Sequence, residues 1–216
     1  DSDLLNGFKN ISRLRVDVSY PFLLPIYDDF ASGLLNREEF NEVINLVENY
    51  VFRRAICGLP PNSLNKTFST LYRSIKKTNY IEGVRASFQM LDSYKRFPTD
   101  VEFAKEFVIK DVYSFRNRNY LLSRLENHNR KEPVNVDDFT IEHVLPQNPE
   151  LNNEWQIMLG PEWKIIQENY LHTIGNLTLT GYNSELSDRS FEDKKTIAGG
   201  FNDSPLRLNE YLRKTN

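Results

Sequence analysis

The stretch Phe139-Thr-Ile-Glu-His-Val-Leu-Pro-Gln147 decides how the rest of the chain is read. Phe139, Ile141, Val144 and Leu145 make a short apolar run with β-branched members, closed downstream by Pro146, and this predicts a short strand. Glu142 and His143 lie inside the run, so a regular strand sends their side chains to opposite faces. Two ionisable groups in so apolar a strand are costly to bury unless each has a partner, so they are either satisfied structurally or part of a site. Downstream, His172-Thr-Ile-Gly-Asn-Leu-Thr-Leu-Thr-Gly-Tyr-Asn183 predicts a second short strand near Asn176–Thr180, with Asn183 just after its turn. A helix from about Ser190 to Ala198 follows, ended by Gly199-Gly200. Leu206, Leu208, Tyr211 and Leu212 predict a short terminal helix packing back. Between the strands lies a long excursion whose Trp155 and Trp163 read as core.

Upstream, residues 1–130 read as a helical domain. Pro21 suits a helix first turn, whereas Pro25 is expected to disturb the same helix. Asn36-Arg-Glu-Glu39 is a capping box opening a helix with Phe40, Val43, Ile44, Val47 and Val51 on one face. Leu64, Phe68, Leu71 and Ile75 form the next stripe, and Ile81, Val84, Phe88 and Leu91 another. Thr99-Asp-Val-Glu102 is a further capping box, expected to lead Phe103, Phe107 and Val108 into the core. The polar stretch from Asn129 to Asp138, with Pro133, changes the periodicity from helical to strand-like and is the best boundary in the sequence. The organisation read here is therefore a mostly α chain, a helical domain over 1–130 followed by a strand–strand–helix domain over 131–216.

Bulk properties narrow the classes. The 216 residues are long enough for a proper core, and 39% hydrophobic with 26% charged residues is ordinary for a globular chain. No apolar run approaches the ~20 residues that cross a bilayer, so no membrane partner is expected. With no basic-then-apolar leader and no initial Met, the sequence is expected to be an excised part of a longer polypeptide or a processed chain. A single cysteine, Cys57, excludes an internal disulfide and a cysteine zinc knuckle, and fits a reducing cytoplasm. Residues 1–130 hold 19 Lys/Arg against 16 Asp/Glu, whereas 131–216 hold 8 against 14. Any grip on nucleic acid is therefore expected largely from the first half, with Arg53 and Arg54 among its basic residues, or from something outside this chain, supplemented by Lys194 and Lys195 on the late helix.

Glu142, His143 and Asn183 suit one chemistry in particular. Phosphodiester hydrolysis needs a base for the attacking water and positive charge on the phosphate and leaving oxygen. A divalent ion supplies that charge, and a hard cation such as Mg²⁺ prefers oxygen donors, here a carboxylate and an amide carbonyl. Histidine suits the base, because its ordinary pKa of about 6.5 leaves it neutral near neutrality. Taken singly, a histidine in a strand reads as structural and Asn176 as a turn residue; the spacing of the set favours a site.

These residues carry a resemblance. Ile141-Glu-His-Val-Leu-Pro-Gln147, Gly175-Asn-Leu-Thr-Leu-Thr180, Asn183, Leu186-Ser187, Phe191 and Lys194 resemble the C-terminal HNH nuclease domain of the GmrSD family. These are type IV modification-dependent restriction enzymes and related phage-defence proteins. Tyr120-Leu-Leu-Ser-Arg-Leu-Glu126, Phe52-Arg-Arg-Ala-Ile-Cys-Gly58 and Leu64-Asn-Lys-Thr-Phe68 extend the resemblance upstream. It implies a ββα-metal finger with added helices, His143 as general base and Asn176 bracing the finger. It also implies Glu142 and Asn183 as ligands of Mg²⁺ or Mn²⁺, and DNA as substrate. Glu142 stands where many HNH proteins carry Asp, and Asp188 where an Asn is expected. The resemblance further implies an N-terminal nucleotide-hydrolysing, modification-sensing domain as partner, expected to be missing from this chain. A non-cleaving DNA-binding or docking module and an RNA-cleaving defence nuclease remain alternatives.

Overall fold

The computed structural model describes residues 2–215. The chain divides into two compact units, Asp1–Phe107 and Val108–Asn216. The first is all helical: α1 (Ser2–Leu14), α2 (Tyr20–Ala31), α3 (Arg37–Ile56), α4 (Ser63–Leu71), α5 (Tyr80–Gln89) and most of α6 (Asp100–Ile109). The capping box that opens α3 is complete, with Glu39 N donating to Asn36 Oδ1 at 2.9 Å and Asn36 N to Glu39 Oε2 at 2.8 Å. The stripe on α3 is buried, and Tyr50 of the same helix makes edge contacts with Phe68 and Phe88, both of which meet Phe22.

Two expectations for this unit are corrected. Pro25 lies inside α2 without ending it: only one intrahelical donor is lost, and Phe22, Leu23 and Ile26 bury the helix on both sides of the proline. Helix α6 sends no residue into the core; Phe103 and Phe107 stack on each other at 5.4 Å, and Val108 is exposed. Its apolar residues lie on more than one face, so no single face can be buried whole.

The second unit runs α7 (Arg118–Glu126), β1 (Thr140–His143), α8 (Asn153–Leu159), α9 (Trp163–Tyr170), β2 (Leu177–Thr180), α10 (Asn183–Leu186), α11 (Phe191–Thr196) and α12 (Glu210–Lys214). The strands pair antiparallel, Thr140 with Thr180, Ile141 with Leu179, Glu142 with Thr178 and His143 with Leu177. Helices α8 and α9 fill the excursion between them. Ser190 caps α11, and Gly199 beyond it takes a positive φ of 77°.

Helix α7 belongs with the strands, although the periodicity changes only at 129–138. Its Leu122 packs with Val136, Leu179 and Leu206. Glu126, fully buried, pairs with Arg130 and accepts from the backbone N–H groups of Arg207 and Leu208 at 3.1 and 3.0 Å. The polar stretch after it is no free linker: Asn127 donates to Val134 O at 2.9 Å and accepts from Val134 N at 2.7 Å. The change in periodicity marks a change of element rather than of packing unit.

A second core gathers Leu145, Leu151, Trp155, Leu186, Phe191 and Phe201, which joins the segment after β1 to α8, α10 and α11. Trp155 is core, with its indole N–H on Arg189 O at 2.9 Å. Asn209, also fully buried, donates to Leu179 O and accepts from Thr178 Oγ1, so it satisfies polar groups along β2 that the two-stranded sheet leaves open.

Candidate active site

The pleat of β1 sorts its two ionisable residues. Glu142, opposite Thr178, points to α11, where Lys194 Nζ donates to Glu142 Oε1 at 2.6 Å and to His143 O at 2.8 Å. Both side chains are buried. Burial raises the Glu142 carboxyl above its usual range against the pull of Lys194, and burial lowers the Lys194 ammonium against the pull of Glu142. In each case removal from water outweighs the partner.

His143 lies on the other face. Its Nε2 is 3.1 Å from His172 Nδ1, and the Tyr113 ring stands edge-on to it at 4.7 Å while stacking on His172 at 5.1 Å. Burial, together with His172 and Lys194, drops the His143 pKa to about 4, with Asp111 opposing. The imidazole is therefore neutral, the form that accepts a proton.

Asn176, at the entry of β2, braces the turn after β1. Its Oδ1 accepts from Leu145 N at 2.6 Å, and its Nδ2 donates to Leu145 O at 3.0 Å and to Leu171 O at 2.9 Å. One side chain thus ties Leu145, the end of α9 and β2 together. Gln167 of α9 adds bonds to Pro146 O and Asn148 O, which fix the next residues of the same segment.

Asn183 begins α10 and reaches back to β1, its Nδ2 donating to Ile141 O at 2.8 Å. The amide group is thereby held by its nitrogen, leaving Oδ1 as the acceptor. A cleft of about 240 Å³ is lined by Ile141, Glu142, His143, Pro146, Gln147, Asn148, Asn183, Ser187 and Asp188. The fold therefore brings the predicted base and both predicted ligands to one cleft. Asp188 adds an acidic group there and accepts from Asn148 at 3.3 Å.

A family model described as GmrSD restriction endonucleases, C-terminal domain, matches residues 97–216. The chain belongs to this family. No curated protein and no solved structure matches the chain. The GmrSD match takes in the whole second unit, and with it every residue lining the cleft.

The residues assigned to phosphate contact by sequence stand differently in this GmrSD domain and upstream of it. Lys194 is fully buried and its ammonium is committed to β1, so it is a correction to that expectation. Arg54 is corrected likewise: it is buried, donating to Tyr94 O, Pro60 O and Ser63 Oγ. Arg53 pairs with Asp100 at 2.5 Å and packs over Phe103. Lys195 donates to Thr215 O at 2.7 Å. Conversely, His172 and Tyr113 gave no signal of a role in sequence, and the structure sets both against His143. The only hint was an imidazole at the start of the stretch read as the second strand, which a turn residue explains equally well.

Among the described residues no group of three His, Cys, Asp or Glu side chains could hold a metal ion. The cleft lining still includes groups of the kind a hard cation prefers, the carboxylates of Glu142 and Asp188 and the amide of Asn183, with Glu142 Oε1 already bound by Lys194. Among the described residues no helix is long and apolar enough to cross a membrane.

Proposed function

We propose that this chain carries a divalent-cation-dependent DNA endonuclease or nickase of HNH type, with His143 as general base. The observation that carries the reading is the arrangement of a neutral, low-pKa imidazole and two fixed oxygen donors at one cleft, on a strand pair braced by Asn176, within a restriction-endonuclease family domain. The bound phosphodiester would lie over the cleft with its phosphorus facing a water held near His143. His143 removes a proton from that water, whose oxygen forms the new bond to phosphorus as the leaving oxygen departs. Glu142 and Asn183 would hold Mg²⁺ or Mn²⁺, with Asp188 beside them. When bound, such an ion supplies Lewis-acid charge to the phosphate and the leaving oxygen. Asn183 contributes its carbonyl without adding negative charge beside the substrate. Asn176 and Gln167 keep the segment after β1 fixed, so the base and donors hold their spacing. As a restriction-family effector, the chain would act in anti-phage defence, directed to modified DNA by a sensing domain.

The test is nicking of supercoiled plasmid with Mg²⁺ or Mn²⁺ against a chelator control. Wild type should nick only with the ion, and His143→Ala should lose several orders of magnitude while melting at nearly the same temperature. Equal nicking by His143→Ala would remove the base from this residue. Cleavage of single-stranded RNA with plasmid left intact would move the substrate to RNA.

A further inference from the structure

The base of the proposed reaction has a histidine for its neighbour, and this has chemical consequences. Two imidazoles joined nitrogen to nitrogen form a hydrogen bond only if one ring nitrogen carries the proton and the other its lone pair. If His172 Nδ1 carried the proton, His143 Nε2 would be occupied as acceptor and the remaining proton of neutral His143 would sit on Nδ1. Neither nitrogen of His143 could then take a proton from water. In the opposite assignment His143 donates from Nε2 and its Nδ1 lone pair is open.

We propose that His172 is a positioning residue for the nuclease reaction, accepting from His143 Nε2 and so making His143 Nδ1 the nitrogen that receives the proton of the attacking water. The proposal rests on the nuclease reading above. Its geometric support is the way His172 is held. The His172 carbonyl accepts from Val112 N at 2.8 Å and from Tyr113 N at 3.4 Å. The Tyr113 ring lies nearly parallel on His172, 13° between planes, and closes against His143 at 65°. Tyr113 is itself fixed: the Arg118 guanidinium sits over its ring at 5.5 Å, and Arg118 Nη1 donates to its carbonyl. The three rings form one cluster, Tyr113 stacked on His172 and His143 edge-on to both.

The arrangement also suits the charge that develops. When Nδ1 takes the proton from water, the Nε2 proton stays in place and its bond to His172 becomes charge-assisted. His172 thus holds the Nε2 proton in place as a neutral acceptor, which places no extra negative charge beside a phosphate.

The chain has only three histidines, His128, His143 and His172, so histidine labelled with ¹⁵N in the full chain reports each ring separately. At neutral pH His143 should be the Nε2–H tautomer. That preference should vanish in His172→Leu and persist in His172→Asn, whose Oδ1 reaches the place of Nδ1 and accepts. In plasmid nicking, His172→Leu should lower turnover about 10- to 100-fold, the range of groups that orient a ligand or base, with substrate KM unchanged. His172→Asn should recover most of that loss. An Nδ1–H tautomer for His143 in the wild-type chain overturns the proposal whatever the variants do. So does undiminished turnover in His172→Leu where His143→Ala is inactive. If wild type fails to nick, or His143→Ala nicks normally, the nuclease reading fails, and the positioning role for that reaction falls with it. The tautomer measurement then decides the His143–His172 assignment alone.

Discussion

At the scale of single residues, the buried pair of Glu142 and Lys194 controls how any substitution in β1 is to be read. An ion pair out of water is a weak source of stability, because desolvation opposes attraction, and the carboxyl and ammonium are both pushed toward their neutral forms. Removing one partner is a different matter, since it strands the other charge. Lys194→Met should lower the unfolding free energy by about 3–5 kcal/mol, measured by urea denaturation, while Glu142→Gln combined with Lys194→Met should recover most of it. A single variant as stable as wild type would mean the pair does not hold β1 to α11. Glu142→Ala likewise strands Lys194. Lost nicking in that variant therefore speaks to a metal role only if its fold persists and more ion restores the activity. If the proposed cation binds Glu142, Lys194 would compete with it for the same carboxylate.

At the scale of elements, β2 and the segment after β1 are tied together by Asn176, all three of whose side-chain bonds go to Leu145 and Leu171. Asn176→Ala leaves a buried N–H and two carbonyls without partners and should cost about 2–4 kcal/mol, read as a lower melting temperature with loss of nicking. Asn176→Asp keeps the acceptor for Leu145 N but sets a charge against two carbonyl oxygens, so it should be no better. Stability equal to wild type in the alanine variant would show that the segment after β1 is held elsewhere. Local periodicity made much of this legible. The two strands, the α3 capping box and the α11 boundaries follow from residues a few positions apart. Partner choice across long separations was not legible: Glu142 and Lys194 are 52 residues apart, and His143 and His172 are 29 apart. A lysine at helical spacing on α11 looks the same in sequence whether its ammonium meets water or a carboxylate behind the sheet. Pro25 and α7 escaped for a related reason, since tertiary packing overrides the local signals of a helix breaker and a polar turn.

At the scale of the whole molecule, the distribution of charge moves the expected grip on DNA. Divided at the boundary between units, residues 1–107 hold 14 Lys/Arg and 14 Asp/Glu, and residues 108–216 hold 13 and 16. The first unit is neutral overall, and several of its basic side chains are engaged: Arg53 with Asp100, Lys77 with Asp29, Arg85 with Glu42, Arg96 with Glu102. Within the second unit, residues 108–130 carry five Lys/Arg against two Asp/Glu, on the segment that also supplies Tyr113 to the cluster around His143. Arg118 is committed to Tyr113, Arg130 to Glu126, and Arg124 has a partner of its own, which leaves Lys110, over the Phe115 ring, and the exposed Arg116 as the cations best placed to meet phosphate. Reversing both, Lys110→Glu with Arg116→Glu, should weaken DNA binding and flatten the plot of log affinity against log salt by about 0.9 per lost contact. The accompanying loss of nicking should be recoverable at low ionic strength, unlike that of His143→Ala, because the chemistry is intact and only the encounter is impaired. Reversing Arg53 and Arg85 instead should leave the salt slope unchanged, since these charges already face carboxylates. A wild-type slope in the first double variant and a flattened one in the second would return the grip to the helical unit.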